Sequence, residues 1–255
     1  MANRMSLDRE GGRWGVVDGH CHLGAAGEEP ARSELLSEMD ARGVDRAVIC
    51  PTERYIAVYN REGNDYIMEA VRSHPRRFIG FATVNPWYGD GAIEELERSI
   101  RSGLKGLKLH PFLQGFHLTH EVARPIVEAC AALGIPVYVH TGTPISSMPF
   151  QLAELARGFP EVPFIMGHMG HSDFWRDTVP AASRSENIYL ETSLVAVSLI
   201  RNAFERLGAG RLIFGSDVPR SSLACELEKV RAIEMSEEER RKVFGENLLS
   251  LLDRR

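Results

Sequence analysis

The chain has 255 residues, of which 44% are hydrophobic and 25% charged, an ordinary composition for a globular protein with a sizeable core and one that excludes disorder over most of its length. With 30 Lys and Arg against 35 Asp and Glu, the formal net charge is -5. That balance gives no field to draw nucleic acid, so a small-molecule substrate is the expected partner.

The chain opens with MANRMSLDREGGRWG, which lacks the apolar centre of a signal peptide, and no later apolar run approaches the roughly 20 residues that cross a bilayer. A cytoplasmic protein without a membrane partner is expected, with residues 1–14 a loose arm ahead of one domain at 15–255. The length suits the roughly 250 residues of a single (β/α)8 barrel.

Short β-rich runs follow at Gly15 to Asp18, Ala47 to Cys50, Phe78 to Val84, Gly106 to His110, Val137 to His140, Phe164 to His168, Ile188 to Thr192 and Leu212 to Asp217. Amphipathic stretches lie between them: Glu34 to Arg42, Asn64 to Ser73, Ala92 to Ser102, Glu121 to Leu133 and Pro149 to Arg157. Gly43, Gly103, Gly134 and Gly158 follow helices, where a residue without Cβ can take the left-handed conformation that ends them. Ser236 and Glu239 have the spacing of a capping box and open a last helix containing Val243, Leu248, Leu249 and Leu252. Strand starts recur every 24 to 32 residues, which suits parallel strands joined by helical crossovers, and eight of them close an α/β (β/α)8 TIM barrel. An open doubly wound sheet is the alternative.

The four cysteines, Cys21, Cys50, Cys130 and Cys225, show no paired spacing of a zinc finger or disulfide framework. Histidine is the informative residue. His20, His22, His110, His140 and His168 stand at or just past predicted strand ends, and Asp217 ends the eighth. In a barrel these ends converge on the face where active sites are built. His20 and His22, two apart on an extended segment, point the same way and can share a cation. Lys108 and His110 in GLKLHP are also two apart and should face the interior, with Leu107 and Leu109 outward. Lys108 is expected deep in the barrel, paired with an acid such as Glu191, and His110 is expected to line the substrate pocket.

The stretches VVDGHCHLG, PVYVHTG, FIMGHMG and IFGSDVP resemble, in order, the strand-one, strand-five, strand-six and strand-eight signatures of the amidohydrolase superfamily. FGENLLSLL is similar to its last helix. The branch resembled is the amidohydrolase-related one that includes the aminocarboxymuconate-semialdehyde decarboxylase type of enzyme. The resemblance implies that His20, His22, His140 and Asp217 are metal ligands, that Asp217 also handles a proton, and that His168 positions or polarises the attacking group.

Three imidazoles and a carboxylate suit one divalent ion, zinc first and manganese second. A carboxylated Lys108 bridging a second metal is the less favoured reading, because His110 occupies the end of that strand. Arg54, in PTERY, and Arg220, in SDVPRSS, can hold a substrate carboxylate, and Trp175 can form a pocket wall. The expected activity is hydrolysis of a C–N or C–O bond (amide, lactam, lactone or ester) by a metal-activated water. The alternative is non-oxidative decarboxylation of an aromatic or unsaturated acid; behind these stand a metal-free lactonase and a non-catalytic metal-binding protein. Assembly into a homo-oligomer is left open.

Overall fold

A computed structural model of the chain describes residues 15–24 and 31–253, without the side chains of residues 172 and 173. The expected arm at 1–14 lies outside the described residues. Eight parallel strands run in chain order: β1 Val17–Leu23, β2 Arg46–Pro51, β3 Phe78–Thr83, β4 Gly106–Leu109, β5 Val137–His140, β6 Phe164–Gly167, β7 Ile188–Glu191 and β8 Leu212–Ile213. Each pairs with the next, as right-handed crossovers dictate. The β1 and β8 segments also meet: Gly19 N–H donates to the Phe214 carbonyl over 2.8 Å, His22 N–H to that of Val218 over 2.7 Å, and Asp217 N–H to that of His20 over 2.8 Å. The sheet is therefore a nearly closed single-domain (β/α)8 barrel, and the open-sheet alternative is excluded.

Alternation along the strands sorts the core into two layers. Leu107, Leu109, Val137 and Val139 join the apolar cluster between strands and helices, while Val17, Val48, Ile79, Tyr138, Ile165 and Ile213 form a second one inside the barrel. Helices lie where the amphipathic stretches predict them, among them Arg32–Arg42, Asn60–Ser73, Asp90–Arg101, Arg124–Leu133 and Pro149–Arg157. Glu121–Ala123 is instead a separate short 3-10 turn. Gly43 and Gly134 stop their helices with φ of 71° and 64°, whereas Gly158 does so in the right-handed region. The box at Ser236 forms, with the Ser236 hydroxyl accepting from Glu239 N–H and the Glu239 carboxylate from Ser236 N–H. Among the described residues no helix is long and apolar enough to cross a membrane.

β1 differs most from expectation. It runs through both histidines instead of ending before them, and it holds a bulge: Asp18 pairs with Ala47 but Cys21 with Ile49, so β1 carries one extra residue there. Strict alternation from inward-facing Val17 would turn Gly19 and Cys21 inward. The extra residue inverts the phase beyond it, sending Cys21 to the outer layer and His20 and His22 to the interior.

Candidate active site

The chemistry gathers at the C-terminal ends of β1, β5, β6 and the segment after β8. His20 and His22 enter from β1, and their Nε2 atoms lie 3.2 and 3.4 Å from Asp217 Oδ1. Asp217 holds a left-handed φ of 55° just beyond β8, a conformation that costs a non-glycine residue about 1 kcal/mol or more and that is characteristic of functional sites. Both its carboxylate oxygens are buried without a hydrogen-bond partner among the described residues. A bare buried carboxylate is unfavourable, and one facing imidazole nitrogens is a receptacle for a cation. Ligand atoms of His20, His168 and Asp217 lie within 4.8 Å of one another, as do those of His20, His22 and Cys50.

Burial, reinforced by Lys108 or by neighbouring histidines, holds the pKa values of His20 and His140 well below the usual histidine value. Burial does the same for His168. Burial thus disfavours a second proton on each of these rings. Burial also opposes charge on His22, but Cys50 and Asp217 outweigh it and push its pKa up to about 9. That proton takes a place which the same carboxylate would offer a metal ion. His22 Nδ1 is 2.7 Å from the Pro51 carbonyl; a carbonyl only accepts, so Nδ1 carries the hydrogen and Nε2 is turned toward Asp217, the orientation usual for a metal-binding histidine. Burial alone would raise the pKa of Asp217, but His168, His20 and His22 overcome it and hold the carboxyl far below its ordinary range.

His168, with φ 62° just after β6, is fixed by the end of β7. Its backbone N–H donates to Glu191 Oε2 over 3.1 Å, and its Nδ1 is 2.8 Å from Ser193 Oγ. Ser193 Oγ donates to Glu191 Oε2 over 2.9 Å, so it accepts from His168 Nδ1–H, and His168 Nε2 is left with its lone pair. That Nε2 is buried and unpartnered. Glu191 also accepts from Tyr138 O–H over 2.7 Å and from Ser193 N–H over 2.7 Å. Burial nevertheless pushes its pKa up to about 7. Asp18 forms a second buried anchor. It accepts from His20 N–H over 3.1 Å, from Ser216 N–H over 2.9 Å and from the Ser216 hydroxyl, tying β1 to the segment after β8; burial raises it too to about 7.

Other expected residues fall differently. His140 is near but outside both groups of converging ligand atoms: its ring stacks on His110 at 3.8 Å between centroids and meets His168 edge-on at 4.6 Å. His110 lies beside the site, with burial holding its pKa down at about 2. Lys108 is interior, as expected, but does not pair with Glu191. Its Nζ is 3.1 Å from His20 Nε2 and 4.0 Å from the Tyr138 ring centroid, because Glu191 is already taken by the Tyr138, Ser193 and His168 donors. Arg54 is exposed and packs on its own neighbour Tyr55. Arg220 is 44% exposed and is ion-paired with Glu53 at the rim. Trp175 is half-buried, its ring covered by Arg176. The structure thus brings together His20, His22, His168, Asp217, His140 and His110, and shows neither Arg54, Arg220 nor Trp175 against them.

Sequence reasoning passed over Asp18, Cys50, Tyr138, Ser193 and Ser216. Tyr138 had a signal, being two residues before His140 on one strand and so on the same inner face. Ser193 had another, two residues after Glu191.

The amidohydrolase family model matches residues 17–253. Among curated proteins, a gamma-resorcylate decarboxylase of a Polaromonas species is 25% identical over 84% of this chain and 84% of its own. Among solved structures, 5-carboxyvanillate decarboxylase from Sphingomonas paucimobilis superposes with a TM-score of 0.77 at 20% identity, covering 94% of this chain and 99% of that one. A dihydroxybenzoic acid decarboxylase from Polaromonas, with bound manganese and the inhibitor 2-nitroresorcinol, gives 0.74 at 20% identity, covering 93% and 96%. These structural likenesses bear on the fold. The likeness to that curated relative over 84% of both chains overturns the expectation of a hydrolase, since that relative breaks a carbon–carbon bond rather than an amide or ester. The ion in the dihydroxybenzoic acid decarboxylase structure is manganese.

Proposed function

The chain belongs to the amidohydrolase family, and we propose that within it the protein is a metal-dependent non-oxidative decarboxylase of a small aromatic or unsaturated acid. The observation that carries this reading is the likeness to gamma-resorcylate decarboxylase over 84% of both chains. The hydrolytic reading rested on the presence of metal ligands beside an acid and a histidine, and a decarboxylase needs nearly the same groups.

His20, His22 and Asp217 would hold one divalent cation, with His140 as the fourth ligand that the family resemblance implies. The orphaned Asp217 oxygens and the inward His22 Nε2 fit that ion, and manganese is favoured by the neighbour that binds it. When bound, the cation supplies positive charge to stabilise anionic oxygens of the substrate. The rest of the chemistry falls to the chain. Ser193 and Glu191 hold the His168 ring in one orientation and one tautomer. His168 Nε2, with its lone pair, and the ionised Asp217 can take up the proton that the incoming acid or a water gives up, and from there it reaches the carbon bearing the carboxylate. As that carbon–hydrogen bond forms, the bond to the carboxylate breaks, its electron pair restores the unsaturated system, and carbon dioxide leaves. His20, His168 and Asp217 are each only 1% exposed, so bulk water is kept from the reacting carbon.

The test is a substrate panel of hydroxylated benzoates and unsaturated acids run beside amides, lactones and esters with manganese-loaded protein. Consumption of acids with stoichiometric carbon dioxide is expected. Turnover confined to amides, lactones or esters would reject the reading.

A further inference from the structure

We propose that Lys108, and not the rim arginines, is the residue that recognises the substrate's carboxylate; this rests on the reading that the substrate is a small acid. Lys108 comes from β4, two residues before His110, and is 1% exposed. An ammonium so placed needs an anion or several acceptors, because burying it unpaired is costly. Among the described residues no carboxylate comes within 4.0 Å of its Nζ. Its contacts are one imidazole nitrogen, His20 Nε2 at 3.1 Å, and the Tyr138 ring face.

The acids nearby are committed elsewhere. Glu191 is satisfied by Tyr138, Ser193 and His168, and Asp217, turned toward His20 and His22, would be taken by the cation. Lys108's single acceptor is also the atom that would ligate a cation. Once the His20 Nε2 lone pair is so used, Lys108 loses that acceptor and stands beside a second positive charge, an arrangement that calls for an anion from outside the chain. Arg220 is paired with Glu53 and Arg54 packs on Tyr55, both exposed. Among the described residues Lys108 is thus the buried ammonium left for a substrate anion.

The experiment measures binding of 2,6-dihydroxybenzoate and of resorcinol, its counterpart without the carboxylate, to manganese-loaded wild type, Lys108→Met and Lys108→Gln by calorimetry, with metal content and thermal unfolding of each. Charge-assisted hydrogen bonds set the scale. The preference for the acid over resorcinol should fall by about tenfold to a hundredfold in the variants, with resorcinol affinity and metal content retained. An unchanged preference in a folded variant overturns the assignment, as does wild type that does not prefer the acid. Loss of metal from both variants also overturns it, because Lys108 would then serve only to support His20. Should Lys108 govern the preference while wild type releases no carbon dioxide from any acid, this assignment stands and the decarboxylase reading fails.

Discussion

Gly19→Ala probes the bulge that turns His20 and His22 into the barrel. A Cβ at this position would lie 2.6 Å from Ile213 Cγ2 and 2.7 Å from the Phe214 carbonyl oxygen. The second contact is with backbone, and with the atom that accepts Gly19 N–H over 2.8 Å, so relief requires the β1–β8 seam to open. Overpacking of this kind costs about 1–3 kcal/mol, and loss of the seam hydrogen bond about 1 kcal/mol more. The total of about 2–4 kcal/mol corresponds, for a domain of this size, to a Tm lower by roughly 4–16 °C. Since His20 is the next residue, metal retention should fall as well. Differential scanning calorimetry and elemental analysis on the same preparation check both. A variant that melts within 2 °C of wild type and keeps its full metal content would refute the argument that a close seam at Gly19 sets the ligand geometry.

Tyr138→Phe removes one of the four donors to Glu191 and should cost about 1–3 kcal/mol, read as a lower denaturant midpoint at unchanged m-value; an unchanged midpoint would mean that the Tyr138–Glu191 bond adds no net stability. Asp217→Asn and His20→Ala should each strip most of the metal, while His168→Asn should keep it and lose at least about a hundredfold in kcat; metal loss from His168→Asn with retention in His140→Ala would exchange the roles of these two histidines. Chelator treatment should abolish turnover and manganese should restore it, and full activity in chelated, metal-free protein would contradict the cation's role.

The barrel was legible because its signals are periodic. Strands with outward Leu107 and Leu109 and inward Lys108, helices with one apolar face, and strand-end histidines all follow from side-chain direction in regular elements. The convergence of the strand-end histidines and Asp217 was legible for the same reason, once eight strand ends are known to share one face. The bulge in β1 was not, since an extra residue declares itself only against the partner strand, and it places His20 and His22 within β1 where the pattern put them beyond it. The partners of long side chains were equally hidden. Arg220 could reach a substrate or Glu53, and Lys108 could reach Glu191 or His20; the outcome turned on Tyr138 and Ser193 having already satisfied Glu191, a contact between β5 and β7 that chain spacing does not encode. Reaction type lay further off still, because an ordered set of histidines and an aspartate serves hydrolysis and decarboxylation alike.

Incubation of manganese-loaded protein with hydroxylated benzoates in deuterium oxide, with NMR of the products, separates decarboxylation from hydrolysis. Decarboxylation at this site yields an arene carrying deuterium at the carbon that bore the carboxylate and one carbon dioxide per arene, with both products at least about a hundredfold slower in His168→Asn. Acid recovered intact while an ester or lactone is cleaved under the same conditions would contradict it.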